Sequence, residues 1–201
     1  MASPCPDNWA LLHPIPPEWE QRVGAFSARR RVSLKRAIGD AGMREDLLGS
    51  PIRRDRICAA ISGDEVIGVL SYRMDGAGAI RPDWARFSAR FGLLEGTLRF
   101  LATQATLFRG RTHDLYIEGF AVSAEARGLG IGRALLDWLS AEVGRQGKAA
   151  WRTEMPETHA DAARAYERFG ARRIRSVPLG PAAWLVGSRR MILYRWSPEG
   201  G

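Results

Sequence analysis

Lysine, cysteine and histidine are all scarce in this chain. Of its 30 basic residues only Lys35 and Lys148 are lysines; it has two cysteines and three histidines. Two cysteines, Cys5 and Cys58, cannot make a disulfide framework. Cys58 lies inside the apolar run Ile57 to Ile61 and reads as a small core residue. No group of Cys and His has metal-ligand spacing, so no metal is expected. No apolar run approaches the roughly 20 residues that span a bilayer. The first ten residues, MASPCPDNWA, lack a basic segment followed by an apolar one. No secretory leader is expected from them, and a cytoplasmic location is the default. There is no internal repeat and no low-complexity tract.

What is present is an ordinary globular balance, 45% hydrophobic and 26% charged over 201 residues. That length predicts one domain spanning residues 1–201. The net charge of +8 calls for a polyanion as a possible partner. The arginines are dispersed, with knots at Arg29 to Arg31, Arg53 to Arg56 and Arg172 to Arg175. No basic helix carries interleaved stacking aromatics, and no helix-turn-helix pattern is visible, so nucleic acid is not expected.

Along the chain, the apolar run Trp9 to Leu12 predicts a first strand, and Glu18 to Ile38 a charged helix. A short helix follows near Arg44 to Leu48. Ile57 to Ser62 and Val66 to Met74 flank the turn residues Gly63-Asp64 and predict a β-hairpin. Residues 75–113 read as a helical insert. Trp84, Phe87, Phe91, Leu94, Leu98 and Leu101 recur at steps of three and four, one helical stripe, expected to pack on the core. A lid or a dimer face is the other reading of that stripe. Gly92 and Gly96 each weaken such a helix by about 1 kcal/mol and predict a break. Leu115 to Val122 reads as a buried strand, Ile131 to Val143 as an amphipathic helix, and Ala149 to Glu154 as a strand. Ala160 to Phe169 is a helix closed by Gly170. Strands near Arg172 to Val177 and Arg190 to Trp196 complete a mixed α/β domain.

The segment from Arg127 to Gly132, RGLGIG, lies between a predicted strand and a predicted helix. Its glycines admit conformations closed to other residues and a close approach of ligand to backbone. The amides that open the following helix lack intrahelical partners and sit at its positive end. A pyrophosphate suits such a site. A Walker loop is excluded because Arg133-Ala134 follow Gly132 where Lys and Ser or Thr would be needed. A dinucleotide fingerprint is excluded because the spacing is G-x-G-x-G and Ser123 to Ala126 intervene after the strand.

With Ala121-Val122 ending a strand ahead of Arg127-x-x-Gly130-x-Gly132, the sequence resembles the GNAT N-acetyltransferase superfamily. A second landmark, Ala162-x-x-x-Tyr166-Glu167-x-x-Gly170, stands in the expected order. The resemblance is specific over Leu115 to Ile174, making residues 115–175 the expected acetyl-CoA-binding core. It implies a GNAT fold, a splayed and mostly antiparallel central sheet flanked by helices. It also implies acetyl-CoA as co-substrate, a sufficient anionic partner for the basic chain. The backbone from Arg127 through Gly128, Leu129, Gly130, Ile131 and Gly132 to Arg133 would hold its pyrophosphate. The backbone of Ala121 and Val122 would pair with the pantetheine arm and polarise the thioester carbonyl.

Transfer of an acetyl group to an amine requires proton removal from the amine and proton delivery to the departing thiolate. Tyr166 matches the family position that protonates the sulfur. Glu118 and Glu154 compete for the base. Glu154 resembles the general base of ribosomal-protein N-terminal acetyltransferases. Glu118, mid-strand, is similar to a carboxylate of some aminoglycoside acetyltransferases; its alternative is an ion pair with one of the many arginines. His159 stands where the family often has Asn and could hydrogen-bond or act as a base, and Ala171 replaces a usual aromatic. An acidic pocket containing Glu118 and Glu154 would favour a small cationic amine, with a protein N-terminus or lysine second. A non-catalytic acyl-CoA sensor is the reading from another class. Many members of that superfamily are dimers, and the sequence leaves the oligomeric state open.

Overall fold

The alternating and helical patterns resolve into seven strands and six α-helices among the described residues, which are 8–107, 113–180, 183 and 187–198 of a computed structural model. In chain order they are β1 (Ala10–Leu12), α1 (Glu20–Arg29), α2 (Ala41–Leu48), β2 (Ile57–Ser62), β3 (Glu65–Arg73), α3 (Trp84–Phe91), α4 (Leu93–Leu107), β4 (Leu115–Val122), α5 (Ile131–Arg145), β5 (Trp151–Pro156), α6 (Ala160–Arg168), β6 (Arg172–Pro178) and β7 (Arg190–Trp196). The strands form one sheet in the order β1-β2-β3-β4-β5-β7-β6. Every neighbouring pair is antiparallel except β4 and β5. Cys5 and residues 108–112, which end the expected insert, lie outside the described residues.

The β2–β3 hairpin turns at Gly63, whose φ of +54° suits glycine, with Ser62 paired to Glu65. Helix α5 buries Ile131, Leu135, Leu136, Leu139 and Val143, the face its periodicity predicts. It lies so close to β3 that a Cβ at Gly68 would stand 2.9 Å from Ile131. Cys58, Leu70, Leu115, Ile117, Trp151 and Tyr194 fill the core beneath it. On the other face of the sheet Val23 of α1 packs with Ile57, Ala59 and Val69.

Two expectations are corrected. The charged helix from Glu18 to Ile38 stops at Arg29, and Val32–Leu34 is a separate 3-10 turn. Arg31 leaves the helix there because its guanidinium runs under the sheet to Ser71 and Glu118. The insert's stripe does not pack as one face. Gly92, at φ +78°, breaks it, turning Phe87 and Phe100 inward against Leu34, Ile38 and Leu48. Leu94, Leu98 and Leu101 on α4 are left outward, Leu94 85% exposed. Gly96 does not break α4; it lets α3 cross, since a Cβ there would meet the Phe87 carbonyl oxygen at 2.6 Å.

Candidate active site

Strands β4 and β5 pair only at Leu115–Trp151 and Tyr116–Arg152. Beyond those two pairs they diverge. A bulge lies on the parting side: Gly119 stands opposite Ser71 and Ile117 opposite Tyr72, leaving Glu118 as the extra residue. A pocket of about 850 Å³ opens there, walled by Phe120, Ala121 and Val122 of β4, the loop into α5, α6 from Asp161 to Arg168, and Phe169 just after it. That volume is within the usual range for small-molecule sites.

The loop is built as a cradle. Gly128 and Gly130 hold φ of +85° and +77°. A Cβ at either would meet nothing within 4 Å, so these glycines are required by conformation and the space above them is open. The first bond of α5 runs from the Ala134 N–H to the Gly130 carbonyl. The amides of Ile131, Gly132 and Arg133 therefore have no partner within the helix, and these residues line the pocket, an arrangement suited to an anion. Arg30, Arg127, Arg133, Arg164 and Arg168 also line it, against one acid, Asp161. Arg164 is paired with that aspartate, and Arg133 lies 3.6 Å from Asp137. The Glu125 carboxyl beside the loop is held below its ordinary range, chiefly by a bond from its own backbone and further by Ser123, Arg30 and Arg127. Basic charge, free amides and open space together fit a ligand bearing several phosphates.

The expected residues divide into groups. Ala121, Val122, Arg127, Gly128, Gly130, Ile131, Gly132 and Arg133 line this pocket, whereas the Leu129 side chain packs on the core. Tyr166 is not on the wall. It lies behind Phe120 and Ala165, 3% exposed, its ring near those of Phe120, Trp151 and Tyr194. Burial raises its pKa, with a hydrogen bond to Thr153 opposing, so the phenol is protonated across the physiological range. Glu154 is half-buried on β5, past the point where β4 departs and opposite Leu193. His159 is exposed at the start of α6, and its side chain makes no cap.

The acidic pocket expected from Glu118 and Glu154 is not formed. The Glu118 side chain is 2% exposed, with one oxygen 2.5 Å from Arg73 Nη2 and the other accepting the Ala79 amide at 2.9 Å. Arg31 Nη2 lies 3.9 Å away. A carboxylate in an apolar strand needs partners, and here arginines supply them. Gly78 allows the approach, since a Cβ there would stand 2.1 Å from Glu118 Oε1. Sequence reasoning missed Arg30, Arg164 and Arg168. Arg30 was visible only as part of a basic knot, and nothing local aimed it at a loop nearly a hundred residues on.

The family model described as the acetyltransferase (GNAT) family matches residues 37–171. The chain belongs to the GNAT acetyltransferase family. Among curated proteins no sequence matches this GNAT chain. A GNAT-family protein from Desulfovibrio desulfuricans is 17% identical with a TM-score of 0.56, the match covering 94% of this chain and 99% of that one. An IAA acetyltransferase from Bacillus cereus is 14% identical with a TM-score of 0.52 over the same shares. A Bacillus anthracis structure described as a streptothricin acetyltransferase with acetyl coenzyme A is 15% identical at a TM-score of 0.47. There the match covers 70% of this chain and 61% of that one. At these identities the first two structures report the shared fold alone. GNAT enzymes are acyltransferases that take acetyl-CoA as co-substrate, and the cradle fits such a donor. Among the described residues no helix is long and apolar enough to cross a membrane, and no cluster of His, Cys, Asp or Glu could hold a metal.

Proposed function

We propose that this GNAT domain transfers an acetyl group from acetyl-CoA directly to the primary amine of a small molecule. The observation that carries this reading is the parting of β4 from β5 beside a basic, amide-lined pocket. The pyrophosphate sits on the Gly128 to Arg133 backbone and the pantetheine arm runs along Ala121 and Val122. The thioester then lies near the bulge, where backbone N–H groups stabilise the oxyanion of the tetrahedral intermediate. The nitrogen lone pair attacks the thioester carbon, the C–S bond breaks, and the sulfur leaves as a thiolate that needs a proton.

Tyr166 gives that proton. Its phenol stays neutral to high pH because burial disfavours the phenolate, and a neutral phenol is the form that can donate. Glu154 is the base, acting directly or through one water, since it is half-buried on β5 two residues beyond the last β4–β5 pair, where the strands part. Glu118 is assigned to structure, because both its oxygens already hold donors. His159 has no role in this scheme.

A binding-only module is the second reading, favoured by one observation: Tyr166 lies behind the pocket wall. Thiol release with amines, measured on the native enzyme and Tyr166→Phe, separates the two. Loss of a general acid lowers kcat by about a hundredfold with the KM for acetyl-CoA little changed. Acetyl-CoA binding in calorimetry with no thiol released for any amine would sink the enzyme reading and leave the sensor.

A further inference from the structure

The sheet registers align a row of side chains across five strands. Arg73 of β3 stands opposite Tyr116 of β4, Tyr116 opposite Arg152 of β5, Arg152 opposite Arg195 of β7, and Arg195 opposite Arg172 of β6. All five point to one face of the sheet. It is the face opposite α5 and α6, because Trp151 and Tyr194, one position away on their strands, pack with Tyr166 of α6. Glu154 shares that face, two residues on from Arg152. The row crosses the sheet through the last β4–β5 pair, and Glu154, the proposed base, lies two residues beyond it along β5, where the strands part.

Guanidiniums on neighbouring strands are roughly 5 Å apart at the backbone, and like charges directly opposite one another destabilise a sheet. Among the described residues few anions answer them. Asp114, 3% exposed, takes both Arg152 and Arg195, and Glu118 takes Arg73 and Arg31. Among the described residues, two carboxylates against Arg31, Arg73, Arg152, Arg195 and Arg172 leave an excess of three positive charges, or two when Glu154 is included. The buried Nε atoms of Arg31 and Arg73 have no hydrogen-bond partner among the described residues. Arg152 and Arg195 are 35% and 32% exposed, and Arg172 is exposed with no acidic partner among the described residues. The inner end of the row is buried and the outer end open.

We propose that the acceptor is a small amine carrying an anionic group, a carboxylate or a phosphate, and that the outer arginines of this row, Arg152, Arg195 and Arg172, receive that group. This rests on the amine-transfer reading and gives it a substrate class opposite in charge to the one expected from Glu118 and Glu154. Arginine suits the task because its planar fork meets carboxylate or phosphate with two parallel bonds. With the anion on the row, the amine end lies toward Glu154 and the parting strands. The inner pairs hold the row rigid, so Arg172, with no acidic partner among the described residues, is the group most available to a ligand.

The test compares four amines of similar length at saturating acetyl-CoA: butylamine, 1,4-diaminobutane, 4-aminobutyrate and 2-aminoethyl phosphate. The expected result is a kcat/KM at least tenfold higher for one or both anionic amines than for the diamine. The arm that wins tells carboxylate from phosphate. Arg172→Gln is expected to raise the KM for the preferred amine about tenfold, the size of one charge-assisted contact, while the KM for acetyl-CoA stays as it was. Equal or better turnover of butylamine or the diamine overturns the proposal, as does an Arg172→Gln enzyme with an unchanged preference. Preferred turnover of a peptide with a free N-terminus overturns it as well. If no amine, these four included, releases thiol, the amine-transfer reading fails, and calorimetry on the CoA-loaded protein decides the row separately. Binding of 2-aminoethyl phosphate or 4-aminobutyrate that Arg172→Gln abolishes supports the anion site; no binding of either overturns it.

Discussion

A carboxylate inside a sheet is tolerated only when its oxygens are occupied, and Glu118 illustrates what removal of one charge would do. Glu118→Gln leaves Arg31 and Arg73 buried beside a neutral amide. Breaking a buried pair from one side is destabilising by about 3 kcal/mol or more, so a clear fall in the denaturation midpoint is expected. Retained thiol release in the folded fraction would accompany it; abolished turnover with unchanged stability would restore Glu118 as a base. Gly130 is a second case. Its φ of +77° is unfavourable for any Cβ, though nothing crowds the position. Gly130→Ala is expected to lower stability by about 1 kcal/mol and to weaken acetyl-CoA binding measurably in calorimetry, because relaxing φ re-aims the amides of α5. Cys58 is the third. Burial pushes its thiol up to about 12 from an ordinary 9.0. The thiol should resist iodoacetamide at pH 8 in the native protein and react on unfolding. The stability contribution has a definite sign. It is fully present below pH 9, where both states hold the proton, and declines as the pH rises from 9 toward 12 and only the unfolded thiol ionises.

At the scale of elements, several contacts depend on glycine where two backbones approach. Helices α1 and α2 meet at Gly24 and Gly49, and a Cβ on Gly24 would stand 1.7 Å from the Gly49 carbonyl oxygen. Gly24→Ala is therefore expected to separate the two helices and lower the midpoint of thermal unfolding, although alanine is the better helix former by about 1 kcal/mol. A midpoint that rises would mean that the helices are free to shift. The α3–α4 crossing uses Gly96 in the same way. These close approaches were not legible in the sequence. A glycine inside a helical pattern reads first as a weak point, and only the opposing carbonyl shows that it is a contact. The β2–β3 hairpin, α5 and β7 were legible because turn chemistry and periodicity act within a few residues. The α1 boundary was not, because Arg31 is drawn out of the helix by Ser71 and Glu118, on strands far along the chain.

For the whole molecule, the three apolar clusters share the sheet and its covering helices: α1 contributes Val23 to one and Ala28 to another, and β2 contributes Cys58 to one and Ile57 to another. Residues 1–201 are accordingly proposed to behave as one cooperative domain. A single calorimetric transition with equal van't Hoff and calorimetric enthalpies is expected. Two transitions would separate the helices of the insert from the sheet. Acetyl-CoA at a hundredfold its Kd should raise stability by about 2.7 kcal/mol through mass action on the folded state.

The amino-acid sequence by itself determined the family, the loop from Arg127 to Gly132 and the strand–helix order around it, because those signals are local: turn residues, helix ends and period. It also marked Tyr166 and Glu154 as candidates. Only the tertiary structure decided which charges answer one another. Cross-strand register put Arg73, Arg152, Arg195 and Arg172 in one row, and the β4 bulge turned Glu118 toward two arginines. The physical reason is range. Periodicity acts over neighbours in the chain, whereas an ion pair is set by proximity in space, and the sign of the acceptor face emerges only once strands far apart in sequence lie side by side.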